Sequence, residues 1–587
     1  MLAELEAVLA EHDALERCVS VEPRRREDQD ADLRLLFADR AWLRSPAGEE
    51  LIADLRASAA VAGAVRHRSA IALRLEDAHL AELERRLAAG EPAGMDASDL
   101  LDGRAFVVGF VGPNTNKALH AGHLRNVVLG QALACAMDRA GAAVTRHSLV
   151  GDIGRRVCEA MGGYLSARDG DTPQTLGIAG DRFVELCSRE FPREDAQADA
   201  ASAAGDPNAE EGEVQGDLAD AIMQAWLAGA ASERALWSRM REWVLAGHSQ
   251  TLARLGVCMD RHDYESDGIA RALELIAHGE RCGLFEREAG GGVVYRTGRP
   301  EYTTMVLLRG DGAPTEYARL LGVYHLMSEE LLRDAVYIEV VGIEWQPVMA
   351  VQAELLTRLL QRPSDERYEW AFHGSVTVGG QKMGSSTGQV LWIDDLLDQV
   401  AAGPGVSALY EQAQGAVERE QLADIVIRGT LLCSPTTQPL AFVFEHLLEG
   451  GSGPGWTIAH AWCHALRSRE PAGEAPAPRT ALVQSQLYRR SLQRTVKRRD
   501  AAHLATYLLG LSEACLAAPM PGPAAAPMLR CVLESLGFLT EAANRKQSTT
   551  HTLTGWKDDP KLSNSNAHAP VAQVVKDPHK ALVRAEC

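Results

Sequence analysis

Residues 112–126 read GPNTNKALHAGHLRN, and their reading decides how the rest of the chain is parsed. Just before them, RAFVVGF (104–110) is an apolar, β-branched run that Gly112-Pro113-Asn114 stops, so it reads as a buried strand. After them, LRNVVLGQALACAMDRAGAAVTRHSLVGD reads as a helix, a glycine stop and a second strand. Strand, turn, helix, strand is a βαβ unit, and such units build parallel sheets with helices on their faces. The quoted stretch therefore lies where a strand becomes a helix N-terminus, whose free N–H groups and positive dipole end attract an anion. Gly122 lets a ligand approach the backbone closely. His120 and His123 flank it and can donate hydrogen bonds to phosphate oxygens. That arrangement suits an anion whose charge grows during reaction, such as ATP attacked at its α-phosphate. A metal site fits less well, because no third His or Cys lies nearby, and none is expected. With 18 His and 52 Gly in 587 residues, HxGH arises by chance about 0.05 times per chain, so the pattern is a signal.

The chain is too long for one hydrophobic core, and about two to four domains are expected. Hydrophobic residues at 46% and charged residues at 24% place it among ordinary globular proteins. No apolar run is long enough to cross a bilayer, so no membrane partner is expected. The start, MLAELEAVLAEHDALER, has neither a basic n-region nor a small-residue cleavage site. Eleven scattered cysteines without a CxxC pair read as free thiols in a reducing compartment, which points to a cytoplasmic protein. A net charge of −20 excludes a surface that is basic throughout but leaves room for a local basic face.

Four regions follow from the pattern. Residues 1–101 alternate helical and charged stretches and end in a Gly/Pro-rich linker. Residues 102–398 carry the βαβ signal and later strand signals, GGGVVYRT, YTTMVLLRGDG, AVYIEVVGIEW and EWAFHGSVTVGG. They are interrupted by an acidic, Ala/Gly-rich insertion near 190–217 that reads as mobile. Residues 399–541 read as almost purely helical, and 542–587 as a polar tail.

The motifs, taken in order, resemble one family. PNTNKALHAGHLRN is similar to the HxGH signature of class I aminoacyl-tRNA synthetases, in the PN…HxGHLR form of the arginyl-tRNA synthetases. VGDIGRR, the helix running to the Glu-Ser pair at 265–266, LLRGDGAPTEYAR, GGQKMGSSTGQVLW, GPGWTIAHAWCHALR and AAHLATYLLGLSEACL resemble successive segments of that family, covering about residues 70–541. The resemblance implies an α/β, Rossmann-type catalytic domain between an N-terminal α+β, tRNA-body-like domain and an all-helical anticodon-binding-like domain. It implies an ATP-dependent ligase that forms an aminoacyl-adenylate and passes the acyl group to tRNA, with arginine as the amino acid. ATP carries Mg2+ on its phosphates, and the protein is expected to be a monomer. By the same resemblance His120, His123 and Lys382 are catalytic. Gly122, Lys117, Ser385 and Ser386 bind ATP, and Asn114 and Glu265 bind the amino acid.

Three positions depart from the family. The acidic residue before the family's SPN is Gly109 here, the aspartate ending TYLTRD is Leu320, and the GADQ-like turn is Gly342-Ile343-Glu344-Trp345. A guanidinium needs carboxylate partners, and Glu265, Glu316 and Glu344 are the candidates to supply them. The loop, KMGSSTG, also has Thr387 in place of a second lysine, which Lys117 is placed to replace. On the tRNA side, YRRSLQRTVKRRD puts Arg490, Arg494, Lys497 and Arg498 on one side of a helix, within reach of a polyanion. A solvated helix face is the ordinary reading of such a run. The departures leave open a paralogue that passes an adenylated amino acid to another acceptor, and a weak tRNA- or ATP-binding regulator.

Overall fold

A computed structural model describes residues 2–14, 17–23, 31–192, 218–331, 333–360, 367–378, 381–382, 390–467, 476–519 and 522–539. Most of the acidic insertion, and the tail from 542 onward, lie outside the described residues. At the centre is a five-stranded sheet formed by β1 (Ala105–Gly109), β2 (Ala143–Val150), β3 (Arg261–Tyr264), β4 (Ala335–Gly342) and β5 (Tyr368–His373). The order is β5-β4-β1-β2-β3, and every pairing is parallel.

The central strands β1 (AFVVG) and β4 (AVYIEVVG) read as near-continuous apolar runs because helices cover both faces. Helix α1 (Ala121–Arg139) packs Val127, Val128 and Leu133 with Phe106, Val108, Ile338 and Val340 in one apolar cluster. Helices α2 (Glu265–Arg281) and α3 (Glu316–Glu330) cover the other face, where Leu275 and Leu321 share a cluster with Val107, Tyr337 and Tyr368. The strand order reverses between β1 and β4, and in open α/β sheets ligands bind in the crevice beyond such a switch point. The β1–β4 ladder ends at Gly109 opposite Glu339. Just past it Asn126 spans the gap, donating to Val340 O at 2.5 Å and accepting from Val111 N–H at 2.6 Å.

The N-terminal segment folds as a four-stranded antiparallel sheet with the helices Leu2–Glu11, Pro46–Ala57 and Asp77–Ala88. It leans on the C-terminal helices through Arg479 with Asp32 (2.6 Å) and Arg490 with Glu6 (3.2 Å), and Gln486 donates to Ala93 O at 3.1 Å. Two details differ from the sequence reading. Residues 399–541 are not purely helical: Leu440–Phe442 is a strand that pairs in parallel with Val376–Val378. Also, β3 stands in a stretch read as helix running to Glu265. Strands of three or four residues are too short for periodicity to register, and distant pairing partners hold them.

Candidate active site

Beyond β1 the chain bends sharply. Val111 and Gly112 have φ of 75° and 47°, the left-handed region that a β-branched residue rarely enters, and Asn126 pins the Val111 amide there. The loop is then clamped to the end of β2: Gly151 N–H donates to Pro113 O at 3.1 Å, and Thr115 N–H to Gly151 O at 2.9 Å. His248, which the sequence reading did not single out, donates from Nε2 to Lys117 O at 2.9 Å.

His120 is the N-cap of α1. Its Nδ1 accepts from Gly122 N–H at 3.0 Å, and the Nδ1 of His123 accepts from His120 N–H at 3.1 Å. This is a capping box made of two imidazoles, with ring centroids 4.0 Å apart. Burial and the nearby Lys117 push His120 down to about 3, and burial, then His120, Lys117 and His248, hold His123 well below its usual value. Both rings are therefore neutral at pH 7. A neutral imidazole whose Nδ1 accepts must carry its proton on Nε2. The capping geometry thus sets both tautomers and turns each ring into an Nε2–H donor at the positive end of α1.

The other wall comes from residues just past the KMGSSTG loop. Ala121 N–H donates to Leu391 O at 2.9 Å, Ile393 N–H to Leu119 O at 3.1 Å, and His120 bridges Trp392. Glu185 fastens this seam, accepting from Trp392 Nε1–H at 2.9 Å and from Ala118 N–H at 3.3 Å. Lys382 ends a two-residue strand opposite Thr377. Ser385 and Ser386 lie outside the described residues. Buried Arg125 ties α1 to the base of this loop. Its guanidinium donates to Gly374 O (3.0 Å), Gln438 O (2.7 Å) and Pro435 O (2.6 Å). Lys117 is half-buried, and burial lowers its ammonium while Glu185 opposes the shift.

Asn114 and Glu265 come together across Gly151. A Cβ on that glycine would lie 2.1 Å from Asn114 Oδ1 and 3.2 Å from Glu265 Oε1. Glu265, however, is not an unpaired acid. Its Oε2 accepts from Arg319 Nε–H at 2.8 Å, and both residues are buried. Burial, with Glu316 and Asp152 adding to it, still raises its carboxyl to about 8 against the pull of Arg319. Asp152, fully buried, accepts from Ser266 N–H, Ser266 Oγ–H and Arg241 Nη1–H at 2.9, 2.7 and 2.9 Å.

The positions that depart from the family are explained by packing. A Cβ at Gly109 would meet Tyr337 Oη at 2.3 Å, so the Tyr337 phenol fills the place of a side chain there. Leu320 is buried in the apolar cluster between the sheet and α3. Glu316 is half-buried in the first turn of α3, and Glu344 is exposed on the turn after β4. The sequence reading missed Glu339, directly opposite Gly109 in the ladder. One acidic residue amid apolar ones (Tyr337-Ile338-Glu339-Val340-Val341) was the available signal.

The basic residues of the helix Tyr488–Arg498 divide by pairing. Arg494, Lys497 and Arg498 are exposed and make no ion pair among the described residues. Arg490 turns to Glu6 of the N-terminal segment instead, and Arg489 pairs with Asp99.

Known proteins resemble this chain in sequence and in fold. A family model for tRNA synthetases class I (R), catalytic domain, matches residues 94–431, more than half of the chain. The arginine–tRNA ligase of Treponema pallidum is 30% identical over 379 residues, 63% of this chain and 62% of the relative. That of Amoebophilus asiaticus is 31% identical over 298 residues, 50% of each. The chain thus spans less than two thirds of the length of these relatives. Among solved structures, Thermus thermophilus arginyl-tRNA synthetase superposes with a TM-score of 0.64 at 19% identity, covering 91% of this chain and 97% of that one. Arginyl-tRNA synthetase from Plasmodium falciparum gives 0.63 at 11% identity, with the same coverage. At these identities the structures speak for a shared fold.

Proposed function

Since the chain belongs to the class I (R) tRNA synthetases, we propose that it activates arginine with ATP and transfers the arginyl group to tRNA. The observation that carries this reading is the imidazole capping box, which commits both Nδ1 atoms to the backbone and leaves two Nε2–H groups as donors at the start of α1. An oxygen of the amino-acid carboxylate attacks the α-phosphorus of ATP, the bond from that phosphorus to the oxygen bridging the β-phosphate breaks, and pyrophosphate leaves; Mg2+ on the phosphates would offset their charge. A ribose hydroxyl of tRNA then attacks the acyl carbon, the acyl–phosphate bond breaks, and AMP departs with the hydroxyl's proton on its phosphate. Neutral donors fixed before the reaction stabilise the charge that grows on the phosphate oxygens without reorganising, the general route by which such sites lower barriers. In this reading Asn114, beside Gly151 and Glu265, holds the α-amino group. Gly122 allows the nucleotide onto the backbone, Lys117 adds positive charge, and Lys382, Ser385 and Ser386 act on the departing pyrophosphate from their loop. The exposed Arg494, Lys497 and Arg498 meet the tRNA backbone.

A second reading, activation for an acceptor other than tRNA, draws on the neutralisation of Arg489 and Arg490 by Asp99 and Glu6, which narrows the basic face. One experiment separates the two. ATP–pyrophosphate exchange is measured with all twenty amino acids, with and without total tRNA, together with charging of tRNA by labelled arginine. Arginine-dependent exchange with charging supports the first reading. Exchange without charging supports the second. Silence with every amino acid refutes both.

A further inference from the structure

Carboxylates around the crevice, Glu265, Asp152 and Glu185 buried and Asp263 half-buried, come with their own cations. Glu265 holds Arg319, Asp152 holds Arg241, Asp263 holds Arg261 and Glu185 holds Arg189. Glu339 breaks the pattern. It is half-buried at the last rung of the β1–β4 ladder, where the two strands part. No Arg, Lys or His pairs with it among the described residues. Its contact is with the fully buried Tyr324, whose hydroxyl donates to Oε2, while Oε1 has no hydrogen-bond partner among the described residues. Tyr324 is itself immobilised: its carbonyl accepts from Tyr368 Oη–H, and its ring packs 6.1 Å from Tyr337. Tyr337 in turn meets His147 Nδ1 at 3.3 Å, and His147 Nε2 donates to Asp263 at 2.9 Å.

Buried acids are paired as a rule, because an unpaired one loses its hydration without compensation. An acid held in one orientation, with one oxygen unoccupied and no internal cation, at the edge where α/β sheets bind ligands, lacks a partner that the ligand can bring. The other candidate carboxylates fit this role less well. Glu265 is committed to Arg319, and Glu344 is exposed on its turn.

We propose that Glu339, oriented by Tyr324, is the carboxylate that selects the amino-acid substrate through its side-chain cation. The inference rests on the proposed activation of arginine. Gly109 belongs to the same device: it sets no side chain opposite Glu339, and the Tyr337 phenol occupies that place instead.

The test is steady-state ATP–pyrophosphate exchange by the full chain in the presence of total tRNA. It compares arginine with citrulline, its uncharged isostere, in the parent and in Glu339→Gln. The parent is expected to use arginine and reject citrulline. Glu339→Gln should raise the arginine KM on the order of 10- to 100-fold and shrink the arginine–citrulline discrimination, with the ATP KM unchanged. An unchanged arginine KM in the folded variant overturns the role of Glu339 and leaves the proposed function standing. Parent exchange with an uncharged amino acid alone overturns the selection but not the adenylation. A parent silent with every amino acid overturns the proposed function and this inference with it. Should Glu339→Gln fail to fold, Tyr324→Phe removes the orienting hydroxyl and keeps the ring. A raised arginine KM then supports the inference, and an unchanged one overturns it.

Discussion

The imidazole capping box separates two jobs that one ring performs, and substitution can divide them. In His123 the Nδ1 accepts from the His120 amide at 3.1 Å and helps hold the start of α1, whereas the Nε2–H is the donor for the nucleotide. Asparagine carries an oxygen on Cγ, where Nδ1 stands, and has nothing at the Nε2 position. Glutamine reaches the Nε2 position with an amide N–H and offers no acceptor at Cγ. His123→Asn should therefore keep the cap and lose the donor, and His123→Gln the reverse. Losing a cap costs about 1 kcal/mol, a shift of roughly 2 °C in Tm for a domain of this size. Losing one preorganised donor costs about 3–4 kcal/mol in the transition state, or roughly 100- to 1,000-fold in kcat. Arginine-dependent ATP–pyrophosphate exchange reads the donor, and thermal denaturation followed by circular dichroism reads the cap. The expected result is a slow but stable Asn variant and a faster, less stable Gln variant. If the Asn variant keeps the parent's kcat while the Gln variant loses it, the assignment of the Nε2–H as the working donor is refuted.

Acid should destabilise the protein through the same two rings. Their folded pKa values are depressed, to about 3 for His120, so between pH 6.5 and 3 the unfolded chain binds protons that the folded chain does not. Stability is then full above pH 6.5 and falls as pH drops, by up to about 1.4 kcal/mol per pH unit for each ring. Glu265, raised to about 8, works in the opposite sense, so the rings are read by difference: between pH 7 and 5 acid should weaken the parent, relative to its pH 7 urea midpoint, more than it weakens His123→Asn. Gly109→Ala would drive a methyl to within 2.3 Å of Tyr337 Oη and should lose about 1–3 kcal/mol of stability, partly restored by adding Tyr337→Phe. Urea denaturation of the single and double variants checks it, and equal stability of Gly109→Ala and the parent would show that Tyr337 yields freely. Replacing Arg494, Lys497 and Arg498 by alanine should weaken tRNA binding and lower the salt slope of log K by up to about 3, with the ATP KM unchanged. Arg490→Ala should leave that slope nearly as it was, because its charge already faces Glu6.

Much of this molecule was legible in local pattern. The apolar run 104–110, the Gly-Pro-Asn stop and the helical period after it specify β1, its turn and α1 without reference to anything distant. The two histidines draw attention by spacing alone. An expectation of anion binding followed as well, because a helix start flanked by donors attracts anions in any fold. Short elements were not legible. Strand β3 and the strand Leu440–Phe442 have too few residues to show a period, and partners far away in sequence select them.

What sequence alone could not decide was which acids are occupied. Glu265 reads as a substrate ligand by its place in a motif, and only folding brings Arg319 to 2.8 Å from it. Arg490 reads as part of a basic stripe, and only the docking of the N-terminal segment sets Glu6 beside it. Gly109 reads as a missing acid, and only the parallel register puts Glu339 opposite and Tyr337 in its place. Charge pairing depends on distances between residues tens to hundreds of positions apart, set by strand order and helix packing. Linear spacing therefore determined which groups this protein carries at its helix start, and tertiary structure determined which of its charges remain available for a ligand.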